Sequence, residues 1–104
     1  MDKTCFIFYS RNDGYKEKER ILIHLKTVLE TFDEVIYVDW NSETQSLLYE
    51  IIDEIPKTGR LKHFVISPHY HKLLTNNNPD VQRCNNVLSV NLALRRTDAD
   101  WITV

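Results

Sequence analysis

Glu34-Val-Ile-Tyr-Val-Asp-Trp-Asn-Ser42 is the stretch that decides the fold. Val35 to Val38 is an unbroken apolar run, too short for a helix and rich in β-branched and aromatic residues. Such a run predicts a strand over 34–38 that is buried on both faces. Asp39-Trp-Asn-Ser42 is then a polar break at its carboxyl end. Upstream, Thr4-Cys-Phe-Ile-Phe-Tyr9 has the same character and reads as a first strand. Ser10 to Gly14 follows as a loop. Between the two strands, Ile21, Leu22, Leu25, Val28 and Leu29 recur at helical spacing, with Lys16, Lys18, Arg20 and Lys26 as the solvated face.

Downstream, Ser42 with Gln45 has the form of a capping box, opening a second helix through Leu47, Leu48, Ile51, Ile52 and Ile55. Pro56 stops it and Gly59 makes the next turn. Leu61 to Ser67 reads as a third strand, and Ser67 to Asp80 as a long polar loop. Pro79-Asp80 starts a third helix carrying Val81, Cys84, Val87, Leu88, Leu92 and Leu94, and Trp101 to Val104 is a fourth strand. The order β-α-β-α-β-α-β predicts an α/β, Rossmann-like, mostly parallel sheet with helices on both faces. Ligands of such sheets bind outside the carboxyl ends of the strands, so the loops 10–14, 39–42 and 67–80 matter most.

Composition sets the outer bounds. A chain of 104 residues, 42% hydrophobic and 27% charged, fits one globular domain over 1–104. A net charge of -2 lacks the basic excess of a nucleic-acid binder, so no nucleic-acid partner is expected. The longest apolar run, Cys5 to Tyr9, falls far short of the ~18–20 residues of a membrane span. Two cysteines, Cys5 and Cys84, are too few for a disulfide framework and read as reduced, buried thiols of a cytoplasmic protein. With glycine only at 14 and 59, there is no phosphate-cradling P-loop and no dinucleotide fingerprint. C-x-x-C, H-E-x-x-H and G-x-S-x-G are missing too.

Three pieces together resemble a known family. Phe6-Ile-Phe-Tyr-Ser-Arg-Asn12, Glu34 to Ser42, and Asn85 to Val104 are similar, in order and spacing, to the start of family 2-like glycosyltransferases of the GT-A fold. The resemblance covers almost the whole chain. It implies the N-terminal, nucleotide-sugar-binding half of such a domain, with a nucleotide-diphosphate sugar, UDP-sugars included, as ligand. Asp39 stands where the family's acid accepts from the N–H of the base, a contact suited to an ionised carboxylate. Trp40 replaces a second acid and is expected to stack on the base or to pack. Tyr9 and Arg11 fall near base and diphosphate, and the planar fork of Arg11 suits a diphosphate. Asn91 matches the family's helix Asn, while Val90 and Ala93 replace its Arg and Gly.

Two other patterns invite a metal reading. Asp98-Ala-Asp100 spells D-x-D, but it precedes the last strand, which puts it at the amino edge of the sheet, away from ligands. His69-Tyr-His71 offers two imidazoles on one side of an extended segment, without a third ligand. The family's metal motif would follow Val104. A divalent cation, Mn or Mg, is therefore expected only of a longer enzyme and not of this chain alone, which is expected to be catalytically incomplete. No catalytic residue is assigned. The other readings are a non-catalytic nucleotide- or protein-binding module, and a Rossmann-like domain of another family such as a nucleotidyltransferase. A half-domain of this kind is also expected to associate with itself through an exposed sheet edge.

Overall fold

A computed structural model of the chain describes residues 2–11, 17–42, 51–55, 57–76, 78 and 86–104. Strand β1 (Thr4–Ser10) leads into helix α1 (Glu17–Thr31) and strand β2 (Glu34–Trp40). A 3-10 turn (Ile52–Glu54) precedes strand β3 (Leu61–Ile66). Helix α2 (Pro68–Leu74), helix α3 (Asn86–Leu94) and strand β4 (Trp101–Thr103) complete the order. All pairings are parallel, and the sheet runs β3-β2-β1-β4. This is the expected α/β architecture. Among the described residues, no helix is long and apolar enough to cross a membrane.

Continuous apolar strands form here because both faces of the sheet are covered. Odd-numbered Val35 and Tyr37 face a cluster with Ile21, Leu25, Val28 and Leu29 of α1 and with Ile51 and Ile55. Even-numbered Ile36, Val38 and Trp40 face the other side, with Cys5, Ile7 and Ala93 of α3. All seven residues of β2 are buried, as a central parallel strand requires. Phe6, Phe8 and Phe32 join the α1 side, and Phe64, Leu88 and Leu92 the α3 side. Gly59 turns the chain into β3 at φ 74, a conformation that costs glycine little.

Several expectations need correction. Strand β2 runs on through Asp39 and Trp40, so the polar break begins two residues later than its composition suggests. The supposed loop 67–80 contains α2: Ser67 accepts from the backbone N–H of Tyr70 and Pro68 takes the first helical turn, so the Ser-Pro pair starts a helix. His69 and His71 accordingly sit on a helix and not on an extended segment. On α3, Val87 is 72% exposed and Leu94 is exposed, whereas Ser89 and Ala93 are buried. Small residues let this helix lie close to the sheet, a preference that an apolar count overlooks. Of the predicted helix starts, Ser42 is described and Gln45 is not; Gln45, Pro79–Asp80, Gly14 and Cys84 lie outside the described residues.

Candidate functional site at the carboxyl edge of the sheet

The strand order reverses direction at β1: β2 and β3 lie on one side of it, β4 on the other. That reversal is where an open parallel sheet forms its ligand crevice. The register brings Ser10, Asp39 and Val65 to one level at the carboxyl edge. Beside β1 lies an open cavity of about 480 Å3, lined by Phe6 to Tyr9, by Arg20, Ile21 and His24 of α1, and by Val104. Its size is that of an ordinary small-molecule pocket.

The walls follow from two periodicities. Phe6 and Phe8 share a face of β1 because they are two apart, and Arg20, Ile21 and His24 share a flank of α1. The His24 ring stands 5.2 Å from that of Phe6 and 5.1 Å from that of Phe8, tilted by 49° to each. Phe8 continues into Tyr37 at 4.6 Å. These rings make an apolar wall suited to a flat ligand, while Arg20 and Tyr9 bring polar groups to the lining.

Above the wall, the turn after β2 is tied to the end of β1. Asn41 takes φ 58, a left-handed conformation that asparagine tolerates better than most residues. Its N–H donates to the Ile66 carbonyl at 2.7 Å, and its own carbonyl accepts from Arg11 Nε at 2.6 Å. The Ser10 and Tyr37 hydroxyls share a hydrogen bond of 2.5 Å. Ser42 Oγ donates to the Asp39 carboxylate. Burial pushes the His63 imidazole below its ordinary pKa, with the Asp39 charge acting in the opposite sense.

The expected site residues are thus placed as follows. Tyr9 and Arg11 stand at the end of β1, half-buried, with Tyr9 in the cavity wall. Asp39 reaches the carboxyl edge but is 1% exposed, its carboxylate turned to Ser42. Trp40 is equally buried and packs among Ile36, Val38 and Phe64 instead of facing the cavity. Its indole N–H donates to His71 Nδ1 at 2.8 Å. Asn91 is exposed on α3, in the half of the helix that leads to the amino edge.

Asp98 and Asp100 do lie at the amino edge: Asp98 pairs with Lys3 Nζ at 2.6 Å, and Asp100 accepts from the Lys3 N–H at 2.8 Å. Among the described residues, no group of three or more His, Cys, Asp and Glu is gathered to hold a metal ion. Reading the sequence assigned no role at this edge to His24, Tyr37 or Asn41, and weighed His71 only as one of two imidazoles without a third ligand. The first of these was legible as the partner of Ile21 one flank over on α1, but the others depend on where neighbouring strands and helices end.

Compared with protein-family models, with curated proteins and with solved structures, the chain matches none.

Proposed function

We propose that this chain is a nucleotide-binding α/β module, the donor-holding half of a glycosyltransferase-like domain. One observation carries the reading: the sheet order β3-β2-β1-β4 reverses at β1, and an aromatic-walled cavity opens beside that strand. A flat base enters against Phe6, Phe8 and His24. The anionic part of the ligand lies toward the guanidinium groups of Arg11 and Arg20, which donate in parallel pairs to phosphate oxygens. Tyr9 borders both regions. Asp39 and Trp40 have a supporting part in this reading, because both are buried: Asp39 holds Ser42 and Trp40 holds the α3 face. The resemblance of residues 6–12, 34–42 and 85–104 to glycosyltransferase starts names a nucleotide-diphosphate sugar as the ligand class.

The test is an NMR titration of the chain with UDP, with uridine alone as comparison. UDP at up to about 5 mM, enough for a Kd near ~1 mM, is expected to shift the amides of Tyr9, Arg11 and His24. Arg11→Ala is expected to weaken UDP about tenfold, the loss of one charge-assisted contact, and to leave uridine unaffected. Unmoved amides at these three positions would overturn the proposal.

A further inference from the structure

Helix α2 touches the body of the domain in an unusual way. None of its seven residues is buried. Six are exposed, and only His71 is partly covered. What covers it is the Trp40 indole, which meets the imidazole edge-on at 87° with centroids 6.1 Å apart and donates its N–H to Nδ1. An indole nitrogen only donates. Nδ1 must therefore carry a lone pair, and the neutral ring holds its proton on Nε2. A second proton would turn Nδ1 into a donor facing a donor, beside an indole that is 1% exposed and fixed in the core. The imidazole therefore acts as a latch only in its neutral form.

We infer that the Trp40–His71 hydrogen bond is a proton-sensitive latch that holds α2 over the carboxyl ends of β2 and β3 and releases it when His71 is protonated. The groups facing His71 agree. Burial lowers its pKa below the ordinary 6.5, and the positive charge of Arg11, from the segment after β1, lowers it further. From β2 comes Trp40, while Asp39 points to the opposite face of the strand. On α2 itself the titratable neighbours are His69, Tyr70 and Lys72. Release does not require unfolding of the sheet, because the core clusters contain no residue of α2.

The test follows the Trp40 indole N–H and the α2 amides by NMR on the full chain, without nucleotide, from about pH 8 to about pH 4.5, across the histidine range. The Trp101 indole, bonded to Asp2 at 2.9 Å, is the internal reference. Expected is one shared midpoint below 6.5 for the His71 ring, the Trp40 indole and loss of α2 amide protection, with β2 amides unchanged. His71→Gln, which keeps an acceptor that cannot titrate, is expected to hold α2 across the range. His71→Phe is expected to leave α2 unprotected at every pH. A His71 midpoint at or above 6.5, or an α2 that stays protected while His71 titrates, would overturn the inference.

Discussion

Glu34, the first residue of β2, receives Lys62 Nζ from β3 at 2.8 Å while its own side chain is only 6% exposed. Thr97 Oγ1 donates to the other carboxylate oxygen at 2.6 Å, and Lys3 approaches at 3.5 Å. One carboxylate thus ties together the amino ends of β2 and β3 and the segments leading into β1 and β4. The ligand edge lies at the other end of the same strands, so this cluster sets the frame that the site is built on.

Glu34→Ala is expected to destabilise the chain by roughly 1–3 kcal/mol, since Lys62 is half-exposed and recovers water when its partner is lost. Burial works to raise the Glu34 pKa, but the bonds from Lys62 and Thr97 and the charges of Lys62 and Lys3 outweigh it and hold it below 4.5. A depressed carboxylate stabilises fully above its unfolded value and loses that contribution as the pH falls through its folded value. Urea unfolding at a series of acidic pH values is expected to show this fall in the native chain, and a weaker one in Glu34→Gln.

Leu25 and Ile23 test the helix face. Leu25 is fully buried against the sheet and Ile23 is 68% exposed, two residues away on α1. Leu25→Ala is expected to cost about 2–5 kcal/mol, and Ile23→Ala no more than about 0.5. Chemical denaturation of the two variants measures the difference.

Cys5 is fully buried in β1, and burial pushes its thiol pKa above 9.0. A thiol without access and without thiolate character is inert. In a Cys84→Ser background, Cys5 is expected to react with a disulfide reagent only as fast as the chain opens, and at once in denaturant. Rapid reaction of the folded chain would contradict its burial.

The sheet was legible in the sequence because continuous apolar runs such as Val35 to Val38 have one common explanation, a strand covered on both sides. The buried stripe of α1 was legible from the spacing of Ile21, Leu25, Val28 and Leu29 for the same kind of reason. The carboxyl edge was legible as a place and not as a set of contacts. Asp39 and Trp40 were rightly put at a strand end, yet alternation along β2 sends their side chains to opposite faces, and both are buried. Helix α2 was misread because Pro68 ends structure in one context and begins a helix in another, and only the Ser67 cap decides between them.

Strand β4 leads to the last prediction. It is three residues long, every one of them exposed, with Trp101 64% and Ile102 38% exposed and Val104 beyond it 63% exposed. It lies at one end of the sheet order, so it offers strand backbone and apolar side chains on the same edge. An edge without charge, proline or bulge is a template for a further strand. Of the nearby charges, Asp98 pairs with Lys3, Asp100 accepts from the Lys3 N–H and Asp2 accepts from the Trp101 indole, while Trp101 to Val104 themselves carry no charged side chain. A second copy that lays its own β4 alongside would cover these side chains in a two-fold contact. Light scattering through a dilution series is expected to give a mass above 12.4 kDa that falls on dilution. Ile102→Lys places a charge in the middle of the edge and is expected to shift the chain to monomer with its unfolding transition retained. A native chain of 12.4 kDa at the highest concentration would show that this edge does not pair.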